Sequence, residues 1–279
     1  MHIFKEIAAL RTHLSTLQST HSTVGFVPTM GALHEGHSSL IRASRKENKT
    51  TVCSIYVNPT QFGNPEDLKK YPRTLDNDIS MLERESCNVL FCPDNNEMYS
   101  DMSLMSIAFD GLDNVLEGAF RPGHFSGVAR VVAKLFNIVQ PHIAYFGQKD
   151  FQQVMVISRM VEELKFNVKI NTMPIVREAD GLAMSSRNQR LSPKERQDAC
   201  VLHKVLLKTR DGILAGKPLS TLRDEASNLC GENNVVLEYL AAADRKHFNL
   251  LEEKIEPGQT VILIAAKVGP VRLIDNLFA

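Results

Sequence analysis

Apolar residues in the first part of the chain follow two alternating patterns, short continuous runs and helical spacings. The runs include Val24–Val27, Thr51–Val57 and Ile143–Phe146. Each is short and rich in β-branched or aromatic side chains, which predicts a buried strand. Between the runs, apolar residues three and four positions apart predict amphipathic helices, as in residues 127–139. Strands that are apolar at every position indicate a parallel sheet covered by helices on both faces.

Three local expectations refine this alternation. The apolar spacing from Ile3 to Leu17 predicts an N-terminal helix. Residues 105–109 are apolar enough to predict a further short strand. Ser126 precedes helix 127–139 and is the residue type that caps a helix N-terminus, so we expect it to be the cap.

The alternation ends at the polar segment Glu178–Gly181. Beyond it the pattern predicts one long helical stretch from Pro193, a second helix, and strands at 235–242, 260–266 and 271–277. Helices followed by strands predict an α+β arrangement with a partly antiparallel sheet. We therefore predict an α/β fold: a Rossmann-like, doubly wound parallel sheet in residues 1–176 and a smaller C-terminal α+β domain in residues 177–279.

Composition and charge narrow the classes of protein. The 279 residues include 32 Lys and Arg against 32 Asp and Glu, so we expect no nucleic-acid partner. The five cysteines contain no Cys-x-x-Cys pair, so neither a disulfide framework nor a cysteine zinc site is indicated. No apolar run reaches membrane-spanning length and the N-terminal residues lack a signal-peptide pattern, so we expect no membrane partner and a cytoplasmic location.

The segment after the first apolar run carries candidate chemistry. Residues 28–37 read Pro-Thr-Met-Gly-Ala-Leu-His-Glu-Gly-His, between a predicted strand and a predicted helix. Such a turn directs backbone N–H groups and the positive end of the helix dipole towards one point, which suits a phosphate. His34 and His37 are three residues apart and can face the same anion. The alternative is that both are surface or capping residues.

Three further segments place polar side chains after predicted strands. Lys149 and Asp150 follow Gly147-Gln148, where a lysine can contact phosphate oxygens and a carboxylate can accept ribose hydroxyls. Residues 184–187, Met-Ser-Ser-Arg, form a plausible triphosphate clamp. Asn58 and Gln61 follow the second strand. The alternatives are that Lys149 is a solvated surface lysine, that Asp150 caps a helix, that residues 184–187 are a polar interdomain linker and that Asn58 forms a turn.

Taken together, these segments resemble the pantoate–β-alanine ligase (pantothenate synthetase) family, whose His-x-Gly-His motif is related to that of class I aminoacyl-tRNA synthetases. The resemblance extends over almost the whole chain, and it is carried by residues 28–37, 57–62, 71–73, 121–128, 147–150, 152–153, 183–188 and 272–276. His142 and Arg190 depart from the family pattern, which more often has an acidic and an aromatic residue there.

The resemblance implies a two-step ligase. Pantoate would attack the α-phosphorus of Mg-ATP to form pantoyl adenylate, and β-alanine would then attack the acyl carbon to give pantothenate and AMP. Catalysis is expected from His34, His37, Lys149 and Arg187, with His37 as a proton donor. Substrate binding is expected from Asn58, Gln61 and Gln153. The expected ATP-binding residues are Met30, Gly31, Ala32, Leu33, His34, Glu35, Gly36, His37, Gly147, Gln148, Lys149, Asp150, Val176, Met184, Ser185, Ser186 and Arg187.

The same resemblance suggests a homodimer, and a Mg²⁺ ion held mainly by phosphates. No protein ligand of that ion is identified, and Asp78 is only a candidate. Two other functions stay open on sequence alone. One is a different His-x-Gly-His nucleotidyltransferase that transfers AMP to a phosphorylated acceptor, although no extra basic cluster is evident. The other is a catalytically silent nucleotide-binding module, which the presence of both histidines and Lys149 disfavours.

Overall fold

The computed structural model describes residues 1–18, 22–99, 105–253 and 255–279. The chain divides into two compact units. The first comprises Met1–Gly147 and Gln152–Met173, and the second comprises Gln148–Phe151 and Pro174–Ala279. The domain boundary that the sequence predicts after residue 176 is kept as a prediction.

The first unit contains a six-stranded sheet in which every neighbouring pair of strands is parallel. Its strands are β1 (His2–Phe4), β2 (Val24–Thr29), β3 (Thr50–Ile55), β4 (Val89–Phe91), β5 (Ile143–Gly147) and β6 (Lys169–Met173). Their order across the sheet is β1-β4-β3-β2-β5-β6. Chain order runs outward from β2 through β3 to β4 on one side and from β5 to β6 on the other, which defines a doubly wound sheet, and β1 is added at the outer edge of β4.

Helices in the described parts of this unit connect the strands. They are α1 (Ile7–Gln18), α2 (Glu35–Glu47), α3 (Pro65–Lys69), α4 (Leu75–Arg84), α5 (Asn95–Met98), α6 (Glu117–Phe120), α7 (His124–Val139) and α8 (Phe151–Glu163). Successive residues of one strand pack into different cores. Phe26 belongs to a core with residues of α1, α7 and α8, whereas Val27 belongs to one with Ile41 of α2 and Leu82 of α4. The sheet is thus covered on both faces, as the continuous apolar runs predict.

The second unit is an α+β arrangement. Its helices are α9 (Pro193–Asp198), α10 (Val201–Leu214) and α11 (Leu219–Glu232), and its strands are β7 (Val235–Asp244), β8 (Leu250–Leu251), β9 (Thr260–Val268) and β10 (Val271–Phe278). The strands form an antiparallel sheet of order β10-β9-β7-β8. Leu202 and Leu206 of α10 pack with Ile262 and Ile264 of β9 in its core. The predicted fold class is confirmed.

Four local predictions are wrong. Ile3 lies in β1, and the first helix begins only at Ile7, because residues 2–4 pair with β4. Residues 105–109 form no strand. The helix predicted at Gly127 begins at His124, after Gly123, so Ser126 lies inside it and accepts a hydrogen bond from Ile107 N–H instead of capping. The stretch from Pro193 is two helices, which separate after residue 198.

No helix among the described residues combines the length and the apolar character needed to span a membrane.

Candidate active site

The turn that contains both histidines leaves the sheet where its strand order changes direction. It follows β2, the strand next to β5, and it leads into α2. Ligands of open α/β sheets bind outside the carboxyl ends of the strands at this point. The location therefore agrees with the chemistry that the sequence predicts for residues 30–37, which we call the histidine turn.

The backbone of the histidine turn is held by a buried carboxylate. Gly31 and Ala32 have φ values of +79° and +50°, so two successive residues are left-handed, one of which is not glycine. Asp78 of α4 is 2% exposed. Its Oδ2 accepts the Ala32 N–H at 3.0 Å and its Oδ1 accepts the Leu33 N–H at 2.8 Å. Thr74 Oγ1 also donates to Oδ1, at 3.2 Å. These bonds stabilise a conformation that costs energy at Ala32.

The two imidazoles cap the start of α2 reciprocally. His34 is the N-cap residue, and its Nδ1 accepts the Gly36 N–H at 3.2 Å. His37 Nδ1 accepts the His34 N–H, also at 3.2 Å. The ring centroids lie 4.1 Å apart. Because each Nδ1 is an acceptor, the proton of each neutral ring is on Nε2. Capping and anion recognition, which the sequence left as alternatives, are therefore compatible in the same rings.

One expectation about the histidine turn is wrong. Its backbone N–H groups are not directed together at an anion, because several of them bind within the protein. Gly31 N–H donates to Thr29 Oγ1, Ala32 and Leu33 donate to Asp78, His34 donates to His37, and Gly36 donates to His34. An anion at this turn would instead be recognised by the histidine rings.

Asn58 and Gln61 lie together with Met30. Both are buried, at 1% and 6% exposure. Asn58 Nδ2 donates to Gln61 Oε1 at 3.1 Å, and Gln61 Nε2 donates to Met30 Sδ at 3.0 Å. Asn58 Oδ1 also accepts hydrogen bonds from Thr60 and from the Tyr99 hydroxyl. Asn58 therefore orients Gln61, and its part in substrate binding stays a prediction.

The motif at residues 121–127, which is part of the resemblance described above, contacts the same group of residues. His124 is 6% exposed, and its Nδ1 donates to the Gln61 carbonyl oxygen at 2.8 Å. Its Nε2 accepts from Arg121 Nη1 at 3.0 Å. Because the carbonyl is an acceptor, the His124 proton is on Nδ1. The motif thus fixes the backbone of Gln61.

The two neighbouring glutamines of α8 differ in their surroundings. Gln152 is 2% exposed, and its amide binds three backbone groups: the oxygens of Leu112 and Val115 before α6, at 2.8 and 2.9 Å, and the N–H of Glu117, the first residue of α6, at 3.1 Å. Gln153 is half-buried in the first turn of the same helix. Gln152 is therefore a structural residue, while Gln153 stays the predicted substrate ligand.

In the second unit, a short hairpin brings Val176 next to Met184. Met184 N–H donates to the Val176 carbonyl oxygen at 3.0 Å, and Arg177 and Ala183 form an antiparallel β-bridge. The turn is at Gly181, with φ +92°, where a Cβ would lie 2.4 Å from His203 Nδ1. The polar break that the sequence shows at this point is therefore a tight turn.

The Met-Ser-Ser-Arg segment continues from this hairpin. Ser185 caps the short 3-10 helix Ser186–Arg190, and its Oγ accepts the Arg187 N–H at 3.2 Å. Lys149 belongs to another 3-10 turn, Gln148–Asp150, and is half-buried. Asn276 Nδ2 donates to the carbonyl oxygens of Gln148 and Lys149 at 2.9 and 3.0 Å. Both phosphate-binding candidates of this unit are thus short, hydrogen-bonded 3-10 segments.

The structure bears on the suggested role of Asp78 as a metal ligand. The part of the chain that the structure describes contains no group of three or more His, Cys, Asp and Glu placed to hold an ion. Asp78 uses both carboxylate oxygens for the backbone of the histidine turn. Its suggested role as a Mg²⁺ ligand is therefore not supported, and its role in the turn is the one that the geometry favours.

The sequence prediction missed the positioning roles of Asp78, which it named only as a candidate Mg²⁺ ligand, and of Asn276, although each residue left a signal. Asp78 shares its helix face with Leu75, Ile79 and Leu82, and a carboxylate on an apolar face needs partners. Asn276 is a polar residue in a strand that is otherwise largely apolar. What sequence could not supply was the partner of each, because the partners are backbone groups 45 and 127 residues away.

Comparisons with known proteins agree with this geometry. Residues 2–278 match the family described as Pantoate-beta-alanine ligase. A pantothenate synthetase from Bacteroides fragilis is 44% identical over 277 residues, which cover 99% of this chain and 98% of the relative.

Solved structures give the same result. The pantothenate synthetase of Thermus thermophilus superposes with a TM-score of 0.90 at 41% identity, covering 100% of this chain and 99% of that one. The pantoate-β-alanine ligase of Francisella tularensis, solved with β,γ ATP and β-alanine, superposes with a TM-score of 0.85 at 37% identity, covering 100% and 97%. The chain therefore belongs to the pantoate–β-alanine ligase family.

Proposed function

We propose that this enzyme condenses pantoate with β-alanine in two steps that consume ATP. In the first step a pantoate carboxylate oxygen forms a bond to the α-phosphorus of Mg-ATP, and the bond from that phosphorus to pyrophosphate breaks. In the second step the β-alanine amine attacks the acyl carbon of pantoyl adenylate. The bond from that carbon to AMP breaks, the nitrogen loses a proton, and pantothenate and AMP are released.

The observation that carries this proposal is the reciprocal capping of the two histidines. With Nδ1 of each ring occupied by a backbone N–H, each ring acts as a donor through Nε2. The rings are 4.1 Å apart and sit at the N-terminus of a thirteen-residue helix. Two fixed donors beside a helix N-terminus suit the negative charge that builds on phosphate oxygens during adenylation.

Other residues have proposed roles in the same reaction. Lys149 and Arg187 neutralise charge on the phosphates, and the hydroxyls of Ser185 and Ser186 hydrogen-bond phosphate oxygens. Asp150 accepts the ribose hydroxyls. The remaining residues assigned to ATP by resemblance form the backbone and walls of its site: Met30, Gly31, Ala32, Leu33, Glu35, Gly36, Gly147, Gln148, Val176 and Met184.

Pantoate would be bound by neutral amides. Gln61 and Gln153 offer N–H donors to the pantoate carboxylate and hydroxyls, and Asn58 fixes the orientation of Gln61. A neutral amide suits this task, because a fully charged partner would reduce the nucleophilicity of the carboxylate. Mg²⁺ enters as part of the Mg-ATP substrate, with phosphate oxygens as its main ligands. The proposal also includes a homodimer, which rests on the family resemblance, and the cytoplasmic location expected from the sequence.

An omission experiment tests the proposal. AMP formation is measured with ATP, pantoate and β-alanine together and with each omitted in turn. We expect stoichiometric AMP and pantothenate only in the complete mixture. AMP transfer to a phosphorylated acceptor would favour another nucleotidyltransferase. ATP binding without AMP formation under any combination would favour a silent nucleotide-binding module.

A further inference from the structure

The last strand of the chain contacts the lysine segment through one side chain. Asn276, near the end of β10, is 1% exposed. Its Nδ2 donates to the carbonyl oxygens of Gln148 and Lys149 at 2.9 and 3.0 Å, and its Oδ1 accepts from Gln148 Nε2 at 3.0 Å. Three hydrogen bonds thus join one buried amide to two successive residues that lie more than 120 positions earlier in the sequence.

Asn276 is itself held in place by an ion pair. Asp275, which is 3% exposed, accepts from Arg177 at both oxygens, with N–O distances of 2.6 and 3.0 Å. Asp275 Oδ1 also accepts the Asn276 N–H at 2.8 Å, and Arg177 Nη2 donates to the Asn276 carbonyl at 3.2 Å. A bidentate guanidinium–carboxylate pair is strong and geometrically specific. Both backbone polar groups of Asn276 are therefore fixed by charged partners.

The position of the Lys149 backbone matters because of the nature of its side chain. A lysine is a point charge on a flexible stem, so it is placed only as well as its Cα is placed. The 3-10 turn Gln148–Asp150 is only three residues long and lies between the end of β5 at Gly147 and the start of α8 at Phe151. Asn276 donates to two carbonyls of this turn, which adds a tertiary constraint on the Lys149 backbone.

We propose that Asn276 is a positioning residue for Lys149 in adenylate formation, with the Arg177–Asp275 pair as its anchor. This inference rests on the proposed contact of Lys149 with ATP phosphates. Asn276 does not touch substrate in this account. It fixes the backbone from which the ammonium group extends, and misplacement of a charge by about 1 Å is enough to cost about 10²-fold in rate.

The test is a double-mutant cycle on adenylate formation. The variants are Asn276→Ala, Lys149→Ala and the double variant, with pantoate-dependent pyrophosphate release followed in the absence of β-alanine. We expect Lys149→Ala to slow the step and raise the KM for ATP. Asn276→Ala should show the same pattern, with a loss of about tenfold to 10²-fold, and an unchanged KM for β-alanine in the complete reaction. In the Lys149→Ala background, Asn276→Ala should cost less than about twofold further, because additivity fails for residues that act through one another.

Two further variants separate positioning from stability. Leu273→Ala removes a buried core side chain from the same strand, 4% exposed, and should lower the unfolding temperature without changing the adenylation rate of the folded enzyme. Asn276→Asp keeps the acceptor for Gln148 Nε2 but turns a carboxylate towards two carbonyl oxygens, so it should be slow in adenylation. It also serves as the test if Asn276→Ala does not fold.

Each result decides a different claim. If Lys149→Ala is slow and the Asn276 variants are not, the positioning role is wrong and the proposed phosphate contact stands. Losses that multiply in the double variant would equally overturn positioning through Lys149. If Lys149→Ala itself forms adenylate at the normal rate, the proposed role of Lys149 falls, and the inference falls with it.

Discussion

Each imidazole of the histidine turn has one observed role and one proposed role. Nδ1 caps the backbone of α2, and Nε2 carries the proton that can be donated to an anion. Replacement by alanine removes both functions at once, so its effect on rate would not identify either. Glutamine at His37 separates them, because a glutamine at the third position of a helix can also accept the N–H of the N-cap residue.

We therefore predict that His37→Gln folds normally and slows adenylate formation by about 10²–10⁴-fold, the usual effect of losing a positioned acid or charge stabiliser. The rate is measured in a single turnover with ATP and pantoate, and folding by the thermal midpoint. His247→Gln, a change at an exposed histidine, is the matched control and should be neutral. A normal rate in a folded His37→Gln enzyme would remove the imidazole from the mechanism.

Asp78 gives a second residue-scale prediction, on stability. An asparagine at this position can accept only one of the two N–H groups, and its NH₂ group would face the other donor. We expect Asp78→Asn to lower the free energy of unfolding by between about 1 and 3 kcal/mol, the cost of a buried group without its partner. Denaturant titration measures this. Asp76→Asn, an exposed change on the same helix, should be neutral, and equal stability of the two variants would contradict the account.

At the scale of secondary-structure elements, two adjacent glutamines of helix α8 have different surroundings. The amide of Gln152 satisfies three backbone groups at the start of α6 and in the segment before it, while Gln153 occupies the next position of the helix. Successive residues of a helix point about 100° apart, so neighbours of the same type need not share a function. Side-chain direction, rather than residue type, separates the structural glutamine from the predicted substrate ligand.

The corresponding prediction contrasts the two glutamines. Gln152→Ala should lower the thermal midpoint, because it leaves buried backbone groups without partners. Gln153→Ala should raise the KM for pantoate about tenfold or more with an unchanged midpoint, as expected for one lost hydrogen bond to a charged ligand, worth about 1.5–3 kcal/mol. Steady-state kinetics and calorimetry on both variants are sufficient. A lower midpoint for Gln153→Ala with an unchanged KM would exchange the two assignments.

Across the whole molecule, the sequence predicts the architecture better than it predicts the contacts. Continuous apolar runs identify strands buried on both faces, and the structure confirms a parallel sheet between two helical layers. The helical assignment of Ile3 is wrong because a three-residue strand has too few residues to show its own period, while its spacing to Ile7 fits a helix. The helix cap predicted at Ser126 is wrong because Gly123, with φ +77°, starts the helix earlier.

The same limit applies to the candidate site. The histidines, Gln61 and Lys149 can be chosen as candidates from sequence because each follows a predicted strand. The positioning roles of Asp78 and Asn276 cannot be predicted in this way, because their partners are backbone atoms whose positions depend on tertiary structure. Sequence therefore predicts candidates for the reacting groups, and structure is needed to identify the side chains that position these candidates.

A global prediction concerns stability at mildly acid pH. Burial, together with the nearby Arg177, lowers the pKa of His203 below its usual 6.5, with a smaller lowering by Arg210 and an opposing contribution from Asp275. A lowered pKa means that the folded state binds fewer protons than the unfolded state. Stability from this group is therefore present above pH 6.5 and is lost as the pH falls below it.

We expect the thermal midpoint to drop between about pH 7.5 and 5.5, a window above the usual carboxylate pKa values, and to drop less in His203→Gln. Calorimetry across this range measures the difference between the two proteins. His247→Gln again serves as the control, because the His247 side chain is exposed. Parallel curves for the enzyme and His203→Gln would contradict the assignment.

The most direct test of the proposed chemistry is isotope exchange between pyrophosphate and ATP. If a pantoyl adenylate forms before β-alanine reacts, labelled pyrophosphate must enter ATP when only pantoate, Mg²⁺ and ATP are present. We predict exchange under these conditions, none without pantoate, and strong loss of exchange in His37→Gln. Exchange that requires β-alanine would contradict an adenylate intermediate and point to a concerted reaction of all three substrates.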